Sequence, residues 1–399
     1  VTSRLLIIFC IAFAGLNTAN GKAQTADSIK IAADSVKKAN AFGEVMWPEN
    51  AFFQTPPRKD SIIPKSLYFR IKSTAYFKDN EYKNPFVTGT SLLGIFFEPS
   101  LEYHPDKKTT IHAGAHLLKY HGEDTFERAV PTLSLQYDPT DHFSLIFGTI
   151  NGTVNHGLIE PVQDFENYLI DNYENGLELL WNYPQFRSDV WLNWEQFLKR
   201  GDPFQEKFTA GTNSTFMLYE SKLFQVTAPF SAIFRHQGGE IDATNLPAIT
   251  RLNMVQGIRF NWSLENNFVK TVALAQDYVE YLEIHPKPDL RIPYGSGSYS
   301  RFLLDTKIGS FEIGYWKAHN FISAHGMPIF QSVSQDNPFF VQPDRQMLVL
   351  KYQLSIKLTN YLKFAGRYEP YYHYDTGRID QSFSVYLLFD DDFLIGKTK

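Results

Sequence analysis

The sequence predicts an all-β chain: a transmembrane antiparallel up-and-down β-barrel of about sixteen strands, with long extracellular loops and short periplasmic turns. Three observations predict it. Long segments alternate apolar and polar residues with a period of two; the connections between them alternate between short and long; and no apolar stretch reaches the roughly eighteen residues that a membrane-spanning helix needs.

The amino terminus sets the compartment. Arg4 precedes an apolar run over residues 5–14 that is too short to span a bilayer, and Gly21-Lys22-Ala23 offers small residues for cleavage before Gln24. Residues 1–23 therefore read as a signal peptide. Cys10, the one cysteine, lies inside the apolar run rather than at its end, which disfavours a lipoprotein anchor. The mature chain then has neither disulfides nor a thiolate nucleophile and depends on backbone pairing and packing. Removing Arg4 and Lys22 leaves 36 basic against 43 acidic residues, a net charge of −7, so nothing calls for a nucleic-acid partner.

Residues 24–66 repeat an Asp-Ser-Ile/Val-Lys theme at Asp27–Lys30 and Asp34–Lys37, then carry Pro48, Pro56, Pro57 and Pro64. That composition suits a periplasmic tether, or a plug inserted in the lumen, better than a folded domain. From Leu67 the alternation takes over. Strands are expected near 67–77, 91–103, 109–119, 130–137, 142–150, 176–183, 188–197, 205–217, 222–236, 249–262, 268–278, 300–307, 310–318, 345–358, 361–370 and 381–389. In the clearest, Leu348, Leu350, Tyr352, Leu354, Ile356 and Leu358 share one face, while Lys351, Gln353, Ser355 and Lys357 share the other. Soluble sandwiches alternate too. Their strands are shorter, however, and they have no reason to place tight turns at one rim and long loops at the other.

The barrel, residues 67–389, resembles bacterial outer-membrane barrels of the porin-like type. Its aromatic richness, 34 Phe and 22 Tyr, resembles barrels of the Bacteroidota. The last segment is similar to the terminal strand read by the barrel-assembly machinery, with Phe383, Val385, Leu387 and Phe389 on one face. It departs from that pattern because residues 390–399 follow as a C-terminal tail. The resemblance implies insertion in the Gram-negative outer membrane, with its lipids and the assembly machinery as partners, and it allows an oligomer.

If the apolar face touches lipid, the polar face encloses the lumen. That face carries Arg70, Lys72, Arg235, Arg251, Arg259, Lys351 and Arg367. Isolated ionised groups in a dry interior would each cost several kcal/mol, so a wet lumen is expected. The long loop 151–175 carries Glu160, Asp164, Glu166, Asp171 and Glu174. Folded inward, it would oppose acids, Glu166 and Asp171 among them, to a basic wall and set a transverse field at a constriction. The alternative is structural salt bridges inside a packed barrel.

No chemistry is expected. His112 and His116 on one strand would stand about 13 Å apart at about 3.3 Å per residue, too far for one metal ion. His285, His319, His325 and His373 lie in loops without zinc-like carboxylate spacing. The H-x-S-N-G pattern of the outer-membrane phospholipase is absent, as are nucleotide-binding glycine patterns. The run 371–374 fits an interfacial aromatic girdle better than a sugar platform, and Trp181, Trp191, Trp194, Trp262 and Trp316, on strands, are expected to face lipid or lie at the rim. Expected, then, is a non-enzymatic, porin-like channel without cofactor or metal, passing small polar or anionic solutes by diffusion. The alternative is a non-conducting barrel acting as a surface receptor, adhesin or assembly partner.

Overall fold

A computed structural model describes residues 63–239, 244, 246–264, 268–284 and 292–397. The expected signal peptide and nearly all of the expected 24–66 extension lie outside these residues. The chain runs through β1 (Ser66–Glu81), β2 (Ser91–His104), β3 (Thr109–Tyr120), β4 (Arg128–Thr140) and β5 (Phe143–Ile150). It continues through β6 (Glu174–Tyr183), β7 (Phe186–Gln196), β8 (Glu206–Glu220), β9 (Phe224–Gly238), β10 (Ile249–Ser263) and β11 (Val269–Glu283). It ends with β12 (Tyr294–Thr306), β13 (Gly309–His319), β14 (Asp344–Lys357), β15 (Leu362–His373) and β16 (Arg378–Lys397).

Every strand pairs antiparallel with its neighbours in sequence, and β1 pairs with β16 from Ser66↔Lys397 to Glu81↔Gln381. Closure removes the free edges that hydrocarbon could not satisfy. The tail expected at 390–399 is corrected by this pairing, because β16 runs on to Lys397. Without that extension the first residues of β1 would present an unpaired edge. The added stretch also brings Asp390 to Arg70, whose Nε and Nη2 donate to its carboxylate at 2.9 and 2.7 Å.

Alternation sorts the side chains as expected. Leu133, Phe147, Ile313, Leu350 and Phe383 are exposed on the outer wall, whereas Met347, Val349, Lys351 and Gln353 of β14 turn inward and are buried. Replacing Leu350 by Arg should cost roughly 2–4 kcal/mol if the site lies at the bilayer midplane. Urea unfolding in lipid vesicles measures this, and an unchanged midpoint would mean that this face does not meet lipid.

The interior differs from the wet lumen expected. Near the rim with the long connections, inward residues Val279, Tyr281, Tyr299, Trp316, Met347 and Tyr371 form a buried core with Ile159, Val162, Phe321, Ile329 and Phe330. The latter five come from the connections 151–173 and 320–343, which fold into the barrel. Sixteen strands enclose more space than wall side chains fill, and these connections occupy it. Trp191 and Trp316, expected at the lipid face or the rim, are instead buried inside. The run 371–374 divides by parity: Tyr371 and His373 are buried within, Tyr372 and Tyr374 exposed without.

Candidate functional site

The connection 151–173 is tied down at its start. Asn151 donates from its backbone and its side chain to Glu178 Oε2, each at 3.0 Å, and Thr153 N donates to Glu174 Oε1 at 3.0 Å. Thr153, β-branched, holds a left-handed φ of 47°. Such a strained backbone persists only where surrounding contacts impose it. Farther along, Met327 N donates to Glu160 O at 2.9 Å and Asp164 N to His325 O at 2.6 Å, joining the two inserted connections. Their approach demands glycine: a Cβ on Gly326 would stand 1.9 Å from Pro161 O.

Two ionic clusters fasten this plug to the wall. Glu160 bridges Lys351 Nζ, at 2.6 Å, and Arg367 Nη2, which also reaches Glu369 at 2.6 Å. Burial opposes ionisation of Glu160, but Lys351 and Arg367 outweigh it and draw its carboxyl down to about 2. Glu166 accepts from Lys78 Nζ at 2.8 Å and from Asn80 Nδ2. On the other connection, Arg345 donates to the carbonyls of Gln331 (2.7 Å) and Ile329 (3.0 Å) and lies 3.4 Å over the Phe86 ring.

Between the 151–173 connection and the wall from β4 to β9 lies a cleft of about 320 Å³. Its lining includes Arg128, the first residue of β4; Glu174, the first of β6; Trp191 in the middle and Glu195 near the end of β7; Thr209 near the start of β8; and Arg235 near the end of β9. All but Trp191 lie toward strand ends that adjoin long connections, so the cleft opens toward the rim where those connections emerge.

Two histidines enter it in different states. His156, at the end of a short 3-10 turn (Thr153–His156), is buried and stacks on Trp191 with ring centroids 3.7 Å apart. Its Nδ1 meets Asp189 Oδ2 at 2.7 Å and its Nε2 meets Glu174 Oε2 at 3.3 Å. Burial alone would lower its pKa, but the Asp189 and Glu174 carboxylates raise it well above the usual histidine value. His156 is thus a cation with both nitrogens engaged and no free lone pair. Its ion pairs stabilise the loop in full below about pH 6.5, and that contribution is lost as pH rises through the elevated folded value. The stability gap between wild type and His156→Gln should therefore shrink as pH rises. A gap that widens in thermal melts would contradict this assignment. His156, Glu178 and Asp189 also offer metal-ligand atoms within 4.8 Å of one another, but a cation there would have to displace the proton that His156 shares with Asp189.

His325 is different: partly exposed, it approaches Thr209 Oγ1 with Nε2 at 2.7 Å and Glu195 Oε1 at 3.4 Å. Thr209 donates its one proton to Glu195 Oε1 at 2.6 Å, so His325 donates Nε2–H to Thr209. Arg235 Nη2 holds the other Glu195 oxygen at 2.9 Å. A base, a hydroxyl, a carboxylate and two guanidiniums thus meet at one opening.

Of the residues singled out in the sequence, Arg235 and Asp171 line this cleft. Lys351 and Arg367 meet at Glu160. Arg70 pairs with Asp390 and Glu102 and Lys72 with Glu98 at 3.6 Å, side by side on the wall at β1, whereas Arg251 pairs with Glu283 at 3.4 Å on the wall of β10 and β11. Arg259 lies on the lumenal face of β10, and Phe383, Val385, Leu387 and Phe389 share the outer face of β16. Thr209, Glu195 and His156 gave no signal of a shared site in the sequence, because Thr209 and His325 are 116 positions apart and only the inward fold of the 320–343 connection joins them.

The sequence profile of the Lipid A 3'-O-deacylase-type family matches residues 57–398, all sixteen strands included. No curated protein sequence matches. Among solved structures, a loop-deletion mutant of OmpT, an outer membrane protein of Vibrio cholerae, aligns with a TM-score of 0.50 at 9% identity, covering 82% of this chain and 99% of that one. OprD of Pseudomonas aeruginosa aligns with a TM-score of 0.50 at 10% identity, covering 84% and 98%. Such identities speak to fold alone, which is that of a porin-like barrel of the bacterial outer membrane. The expectation of a barrel without catalysis is corrected by the profile match, since the matching family is one of enzymes.

Proposed function

Because the chain belongs to the Lipid A 3'-O-deacylase-type family, we propose that it hydrolyses an ester-linked acyl chain of a lipid A-like glycolipid at the rim cleft. The observation that carries this reading is the accessible His325 hydrogen-bonded to Thr209 beside Glu195 and Arg235. His325 takes a proton from water, and the hydroxide adds to the ester carbonyl. Arg128 and Arg235 supply positive charge for the developing oxyanion or for an anionic headgroup. The ester C–O bond breaks, the departing sugar oxygen takes the proton back from the imidazolium, and the carboxylic acid so formed gives up its own proton to solvent. Purified protein mixed with lipid A in detergent micelles should release free fatty acid and leave a lipid lighter by one acyl chain, as mass spectrometry reads directly. No release by wild type would overturn the reading.

A second reading, diffusion of small polar or anionic solutes, is favoured by one feature. Arg70 and Lys72 face the lumen partly exposed, their side chains 25% and 24% accessible. Single-channel recording in planar bilayers tests it, and a silent barrel would reject it.

A further inference from the structure

We infer that the wall has a lateral seam between β4 and β5, through which an acyl chain of an outer-leaflet lipid reaches the cleft; the inference rests on the hydrolytic reading above. The β4–β5 ladder runs from Thr140↔Phe143 to Ser134↔Gly148 and stops. Yet β4 stays paired with β3 as far as Arg128↔Leu118, and β5 with β6 as far as Ile150↔Glu174. Among the described residues, 128–133 therefore have a strand partner on one side only.

Local chemistry explains the parting. Pro131 has no N–H to offer a ladder. Gly148 adopts a φ of 104°, and a Cβ there would stand 2.2 Å from Leu133 O. Leu133 N donates to the Thr149 hydroxyl at 3.1 Å instead of to a carbonyl, and that hydroxyl donates to Asn175 Oδ1 at 3.0 Å. A side chain thus bridges where the ladder would run.

Backbone groups unpaired toward hydrocarbon are costly, so barrels close their edges. A gap that persists borders a polar space, and the space behind this one is the cleft. Arg128 and Asp171 stand there, joined at 2.6 Å but with side chains 35% and 46% exposed. An ion pair so exposed holds weakly and can part. On the outer side Leu133 and Phe147 are each 64% exposed. From outside inward the order is apolar wall, seam, breakable ion pair, then cleft with its base. That order suits a molecule with a hydrocarbon tail attached to an anionic polar head.

Vesicles carrying a lipid with a diazirine midway along an acyl chain, photolysed with the full-length wild-type protein, test the route. Label should appear on the lumen-lining Thr153, Asn167 and Tyr173 as well as on Leu133 and Phe147; label confined to outward residues overturns the seam. The double variant Leu133→Cys/Thr149→Cys gives a second measure. Oxidised, it should release fatty acid from vesicle-bound lipid A at least tenfold more slowly than the same protein after reduction, and equal rates overturn the proposal. Wild type that takes label inside but releases no fatty acid would overturn the hydrolytic reading and still support the seam.

Discussion

Replacing Glu160 by Gln should destabilise the barrel by about 3–5 kcal/mol and release the 151–173 connection from the lumen. The size follows from what is left behind. Glu160, Lys351 and Arg367 are 1%, 3% and 2% exposed, and removing the anion they share leaves buried Lys351 with only a 3.6 Å contact to Glu312 and buried Arg367 with Glu369 alone, in a medium that solvates charge poorly. Because Glu160 also receives the backbone N–H of Met327, loosening it loosens the 320–343 connection as well. The urea midpoint should fall and protease should cut within 151–173. Adding Lys351→Met to Glu160→Gln should restore part of the loss, since the two sites are in contact and their effects are not additive. An unchanged midpoint together with full protease resistance would show that the packed core holds the plug without this latch.

The second large effect is on catalysis. His325→Gln should lower the rate of fatty acid release by a factor of about 10² to 10⁴, the usual contribution of a general base. It should do so with little change in stability, because His325 is partly exposed and its backbone carbonyl still accepts from Asp164 N. Thr209→Val removes the hydroxyl that orients the imidazole while keeping its shape. A loss as large as that of His325→Gln would point to Thr209 as the nucleophile; a smaller loss leaves it as a positioning residue. Initial rates over a range of lipid concentrations separate these effects from binding, and a reduction of less than tenfold in His325→Gln would remove that residue from the mechanism.

Much of the fold is legible along the chain. Parity of apolar residues places Leu348 and Leu350 outside and Lys351 and Gln353 inside without reference to any other strand. Turn chemistry at Pro105–Lys108 and at Asp138–Asp141 marks one rim, and loop length marks the other. The site is not legible in this way. A sequence search can look for histidine near serine or for carboxylates at metal spacing; here the hydroxyl is a threonine and the carboxylate belongs to another strand. His325 looks like an ordinary loop histidine until Gly326 lets its connection pass against Pro161 and Asp164 fixes its backbone. Trp191 and Trp316 are misread for a related reason. Tryptophan on a barrel strand suits the lipid interface as a residue type, and only the inserted connections supply an apolar partner on the inside.

The sequence by itself determined the class of the protein: a period-two barrel wall with one inward and one lipid-facing side, tight turns at one rim and long connections at the other. These properties depend on neighbours one and two residues away. Only the tertiary structure decided that the long connections turn inward, that Glu160 finds Lys351 and Arg367, that His325 reaches Thr209, and that β4 and β5 part company at Gly148. Each of those outcomes pairs residues far apart in the chain, and which distant groups meet is set by closure of the barrel and by competition for the space inside it.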